Sequence, residues 1–322
     1  MDGRRVTTLQ GLLKFAIEQG QCQDSGGGTY ENMDHERKAF LENAFKSMTI
    51  DVMEELSYAI SVLEDNSTSN AQKTNALNLI RDHIDNIDFA NSFVKVGGTN
   101  ILIECLKSHD ENVRIAAMNI VAEMSQNNAF CQKHFLEHNI LKLLITYLND
   151  NEDLVSSSLY AISALVRGFE PGAAELIAIG GLELVVNCLN TAFTRAFIKA
   201  CFLISTLSTE YMLVRDEFVT LGAFEKLADF LEVITDFDVK MEALLRAMAE
   251  LSQSKKFKPD EELKGHIIKT LHDIISRNEK LPQCEGTCLH FPVSSKLKTA
   301  NNNFPGRLQL TEPHGSVSAG GG

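Results

Sequence analysis

Apolar residues along this chain recur three and four positions apart and do not alternate, so helix is the predicted element almost throughout. The spacing predicts long helices within DVMEELSYAISVL (51–63), NVRIAAMNIVAEMS (112–125), DLVSSSLYAISALV (153–166), AFIKACFLISTL (196–207) and DVKMEALLRAMAELS (238–252). Proline breaks helix interiors, and the first of only six prolines is Pro171, which fits a long helical stretch before it.

The helical pattern repeats. Four ten-residue blocks each begin with a helix-breaking residue and end in leucine: GGTNILIECL (97–106), NILKLLITYL (139–148), GGLELVVNCL (180–189) and GAFEKLADFL (222–231). Their periods are 42, 41 and 42 residues, and Leu63, 43 residues before Leu106, extends the register by one degenerate unit. The first column holds Gly97, Asn139, Gly180 and Gly222, the residue types that best tolerate a left-handed backbone where one helix ends and the next turns away. Four residues earlier stand Phe93, Phe135, Leu176 and Phe218, the expected buried face of a short first helix. In the third helices, Met118, Tyr160 and Phe202 share one column and Ile120, Ile162 and Ile204 another.

Three helices per unit, with a hinge between the first two, is an armadillo-type repeat. No such unit buries its apolar face alone, so the expected fold is all-α, an armadillo-like right-handed superhelical solenoid whose third helices line the concave side. Four repeats span 85–253, with helical caps at 33–84 and 254–280. Residues 281–322 hold four prolines and six glycines and are expected to form a disordered tail. At the other end, within 1–32, Leu9, Leu12, Leu13, Ala16 and Ile17 make one helical stripe, followed by Gly26, Gly27 and Gly28. This short amphipathic helix either docks on the first repeat as a cap or works from a flexible tether.

Composition narrows the function classes. Thirty Lys and Arg against 43 Asp and Glu leave a net charge of −13, which repels a phosphate backbone and argues against nucleic acid as a partner. No apolar run approaches the ~18 residues of a membrane span, and MDGRRVTTLQ has no apolar core of a secretory leader behind its arginines. The expected address is therefore cytoplasmic, with the nucleus also open, and a monomer is the default for an open, capped array. The seven cysteines are then reduced thiols, and Asn66-Ser67-Thr68 is not read as a glycosylation site.

Candidate chemistry is sparse. His134-Phe135-Leu136-Glu137-His138 matches the H-x-x-E-H arrangement that can ligate zinc, but His138 shares a column with Val96, Ile179 and Leu221 and is read as a packing residue. Cys284, Cys288 and His290 lack a fourth ligand. Cys105 and Cys188 share a column with Tyr147 and Phe230 and are core residues, not nucleophiles. With no phosphate-cradling glycine loop either, neither an enzyme nor a cofactor or metal site is expected.

Four segments in order, LQGLLKFAIEQG (9–20), DNIDFANSF (85–93), SQNN (125–128) and YAISALVR (160–167), resemble the armadillo-type nucleotide exchange factors of the 70-kDa heat-shock chaperones. The resemblance implies a co-chaperone whose concave face grips the chaperone ATPase domain, opens its nucleotide cleft and releases ADP. It implies Ala90, Asn91, Gln126, Asn127 and Arg167 as partner contacts. It further implies that Leu9, Leu12, Leu13, Ala16 and Ile17 enter the chaperone's peptide-binding domain and help release clients. Relatives of this kind continue in an acidic helical stretch, whereas this chain breaks at Pro282. The alternative is a peptide-binding scaffold like importins and catenins, which present asparagine and tryptophan along the third helices. Here that column reads Ala122, Ala164 and Thr206, and the chain has no tryptophan.

Overall fold

The structure is a computed structural model that describes residues 52, 54–190, 192–233 and 238–277. The amphipathic segment with Leu9, Leu12, Leu13, Ala16 and Ile17, the metal-ligand guess at Cys284, Cys288 and His290, the proline- and glycine-rich 281–322 and most of 33–53 lie outside the described residues.

Among the described residues every regular element is helical. In chain order they are α1 (54–64), α2 (Asn70–Arg81), α3 (Ile87–Lys95), α4 (Gly98–Leu106), α5 (Glu111–Ser125), α6 (Ala129–Glu137), α7 (Ile140–Ile145) and α8 (Glu152–Val166). They continue as α9 (Glu170–Ala178), α10 (Gly181–Asn187), α11 (Thr194–Glu210), α12 (Met212–Thr220), α13 (Ala223–Val233), α14 (Val239–Leu251) and α15 (Glu261–Arg277). The repeat is therefore a short helix, a second short helix and a long third one, as the 42-residue register predicts.

Helix starts follow from side chains that compete with the backbone for hydrogen bonds. Ser69 and Gln72 form a reciprocal capping box at α2. The carboxylates of Asp110 and Asp238 accept from the backbone of Val113 and Met241, and Asn86 and Asn128 cap α3 and α6 in the same way. The hinge column is left-handed in all four repeats, with φ of 93° at Gly97, 58° at Asn139, 72° at Gly180 and 72° at Gly222. Phe93, Phe135, Leu176 and Phe218 are fully buried just before these hinges. The ring of Phe93 lies so close that a Cβ on Gly98 would sit 2.4 Å from it, so the second glycine of Gly97-Gly98 is a packing requirement.

The chain divides into two compact units. The first contains the described residues up to 147 together with 160–172; here α2 packs along α5, and α3 packs on both α4 and α6. The second contains 148–159 together with the described residues from 173 onward; here α11 packs along α14 and against α12. In the second unit Ala196, Ala200, Ile204 and Leu207 form the buried stripe of α11, while Met241, Leu245 and Met248 form that of α14.

Two columns depart from expectation. Val96 is 62% exposed and His138 is also exposed, whereas Ile179 and Leu221, equally the last residues before left-handed hinges, are half-buried. The packing role expected for His138 is thereby corrected. The column of Met118, Tyr160 and Phe202 runs from buried through half-buried to 47% exposed, whereas Ile120, Ile162 and Ile204 are all buried. A shared register sets which way a side chain points; the neighbouring helix decides whether anything covers it.

Candidate functional site

The partner contacts expected from the sequence all fall in the first unit: Ala90 and Asn91 on α3, Gln126 and Asn127 between α5 and α6, and Arg167 just after α8. Helix α5 ends when Gln126 turns extended and Asn127 adopts φ 53°, one of two non-glycine residues with positive φ among those described. This turn directs both side chains outward, and both are exposed. Gln126 Nε2 donates to the Tyr160 hydroxyl at 2.6 Å, tying the end of α5 to α8.

Glu123 lies one turn before Gln126 on α5 and receives Arg81 of α2, with Nε and an outer guanidinium nitrogen 2.7 and 2.6 Å from the same carboxylate oxygen. The carboxylate holds the Arg81 guanidinium above its ordinary pKa. Burial, and then the Glu123 charge, push the Tyr160 hydroxyl up, while its bond to Gln126 opposes the shift. Tyr160 therefore stays a neutral phenol at physiological pH. Arg81, Glu123, Gln126 and Tyr160 form one polar strip across three helices.

The remaining residues separate. Asn91 is half-buried, and its Oδ1 accepts from Asn128 Nδ2 at 3.0 Å. Arg167 is exposed at the C-terminal end of α8, where its carbonyl accepts from Gln132 Nε2 at 3.0 Å. Ala90 is 1% exposed. Its methyl group is enclosed by the protein's own side chains and offers a partner no contact area. A long charged side chain would not fit at this buried position without displacing its neighbours.

The structure adds Arg81, Glu123, Tyr160 and the buried amides Asn128 and Gln132 to the residues named from the sequence. Gln132 had a signal: seven residues before each hinge stand Ala90, Gln132, Ala173 and Arg215, and a buried glutamine is the odd member between two alanines. Tyr160 had none, since its column also reads as plain helix packing.

The alternative chemistry finds little support in the geometry. The rings of His134 and His138 are 4.2 Å apart, but no third ligand joins them, and no group of three His, Cys, Asp or Glu able to hold a metal occurs among the described residues. Burial, followed by the neighbouring His138, lowers the pKa of His134. Cys105, Cys131 and Cys188 are free and buried, and burial raises each thiol to about 11, so none is poised as a nucleophile.

Residues 9–93 match the family described as Nucleotide exchange factor Fes1. Mouse Hsp70-binding protein 1 is 24% identical, with 91% of this chain and 89% of the relative covered. The Hsp70 nucleotide exchange factor FES1 of Candida albicans is 33% identical across 39% of this chain and 46% of its own length. The chain resembles the armadillo-type Hsp70 nucleotide exchange factors. That family consists of exchange factors and not of catalytic enzymes. Among solved structures, the designed armadillo repeat protein YIII(Dq)4CqI superimposes with a TM-score of 0.58 at 17% identity, over 73% of this chain and 98% of that one. An engineered protein, target OR366, gives 0.61 at 18% identity, over 74% and 98%. The fold is thus all-α and of the armadillo-repeat type.

Proposed function

We propose that this chain is a co-chaperone that binds the ATPase domain of a 70-kDa heat-shock chaperone and promotes release of ADP. The observation that carries this reading is the similarity to Hsp70-binding protein 1, which runs through 91% of the chain and so through both compact units. In this reading the polar surface of the first unit is the docking face. Asn91, Gln126, Asn127 and Arg167 contribute the contacts, and Tyr160 and the Arg81–Glu123 pair extend them. The third helices form the concave side that grips one lobe of the ATPase domain. In this reading the partner is a cytosolic or nuclear chaperone.

A protein that stabilises the open nucleotide cleft must weaken nucleotide binding, and by reciprocity nucleotide weakens its own binding by the same factor. The deciding experiment loads the isolated ATPase domain with a fluorescent ADP and follows its release while this chain is titrated in. Release accelerates, and excess ATP dissolves the complex. A complex indifferent to ADP and ATP would instead identify a peptide-holding scaffold.

The stripe Leu9, Leu12, Leu13, Ala16 and Ile17 enters the chaperone's peptide-binding domain once the body is docked, where its tether keeps it at high effective concentration. Deleting residues 1–30 should leave ADP release intact and slow the freeing of a bound client peptide. Parallel losses of both activities, with a lower melting temperature, would make the segment a docked cap.

A further inference from the structure

Helix α6 carries two side-chain amides one turn apart on one face, its N-cap Asn128 and Gln132. They are 5% and 2% exposed. Asn128 reaches back to Asn91 of α3, while Gln132 reaches the end of α8, where Nε2 donates to the carbonyls of Ala164 at 2.9 Å and Arg167 at 3.0 Å. The last carbonyls of a helix have no partner within it. Here α8 stops as Gly168 turns left-handed at φ 61°. A single primary amide meets two of them.

The neighbouring repeats do not share this device. Ala90 and Ala173 fill the same column with a methyl group that donates nothing. Gln132 is thus a specific addition at the one helix end that carries Arg167, and Asn128 on the same face restrains Asn91.

We propose that Gln132 is a positioning residue that holds the end of α8 so that Arg167 is presented in a fixed place to the partner, with Asn128 doing the same for Asn91. Without its donor both carbonyls lose this cross-repeat hydrogen bond, which loosens the tie between α6 and the last turn of α8. Arg167 then spends part of its time away from the docking geometry.

This assignment rests on the exchange-factor reading, so its experiment includes a readout that needs no partner. In the full chain, Gln132→Met keeps the volume and removes the donor. Amide hydrogen exchange across 160–168 should accelerate severalfold, and affinity for the isolated ATPase domain should fall about fivefold, the equivalent of one ordinary hydrogen bond. In an Arg167→Ala background the same substitution should change affinity by less than about 1.5-fold, because a positioning effect vanishes with the residue it positions. Should Gln132→Met fail to fold, Gln132→Ala repeats the experiment with the residue the adjacent repeats carry. Unchanged exchange across 160–168, or an affinity loss equally large in the Arg167→Ala background, overturns the positioning role. Wild-type affinity in Arg167→Ala alone overturns the docking surface, while the exchange measurement still reports on the brace.

Discussion

The two compact units bridge successive repeats with different chemistry. In the first, beside the Arg81–Glu123 ion pair, most bridges are neutral amides and tyrosines: Asn128 to Asn91, Gln126 to Tyr160, Gln132 to the end of α8, and the Tyr147 hydroxyl to the Leu106 carbonyl. In the second, cations take over: Arg195 meets Glu152 and Asp153, Lys199 meets the Ser156 carbonyl, and Lys226 meets Asn187. A buried amide has fixed donors and acceptors and few rotamers that satisfy them, so it fixes geometry. The exposed Arg195 pair is screened by water and holds geometry loosely, while Lys199 is half-buried. The first unit is therefore the better platform for a surface that must match a partner, and the residues implied as contacts all lie there.

The largest test asks whether the difference stops at the polar bridges and leaves the cores equivalent. Phe135 of the first unit and Phe218 of the second hold the same column and are both fully buried. Alanine at either should cost about 3–5 kcal/mol in urea unfolding. A far smaller loss at Phe218 would mean that the second unit's core collapses around the cavity and is the softer of the two.

Next comes the polar contrast itself. Arg167→Ala should slow ADP release from the chaperone about tenfold, corresponding to one charge-assisted hydrogen bond, at an unchanged melting temperature. Arg195→Ala in the second unit should leave both release and melting at wild-type values. An exchange defect in Arg195→Ala as large as that of Arg167→Ala would move the docking surface to the second unit.

The hinges should not distinguish the units. Asn139→Ala and Gly180→Ala each force alanine into the left-handed region and should cost about 1 kcal/mol by thermal unfolding. A neutral result at one of them would show that its hinge relaxes to negative φ.

The smallest effect is a pH dependence confined to the first unit. Burial and His138 depress the His134 pKa below its ordinary 6.5, so the folded state resists protonation that the unfolded chain accepts. The stability is therefore present in full above pH 6.5 and is lost as pH falls through the lower folded value. His134→Asn should flatten that decline, as read from melting temperatures between pH 7.5 and 5. An unchanged decline would assign it to other groups.

Much of the fold was legible because it depends on local rules. The left-handed column was readable from glycine and asparagine, and the buried faces from Phe93, Phe135, Leu176 and Phe218. The proposed docking residues were less legible. Asn91, Gln126, Asn127 and Arg167 were named through a family resemblance, and Ala90, named with them, is enclosed. Nothing local to Ala90 distinguishes a small residue that admits a partner from one that admits its own neighbour.

By itself, then, the sequence determined the helices, their hinges and the repeat period, since backbone conformation and apolar spacing are properties of a few adjacent residues. Only the tertiary structure decided which of the repeated positions are covered and which polar groups meet. Phe202 and Met118 share a register yet differ in exposure, and Gln132 finds its carbonyls 32 and 35 residues away. Burial and hydrogen-bond partnership belong to pairs of helices, and a pair exists only once the chain has folded back on itself.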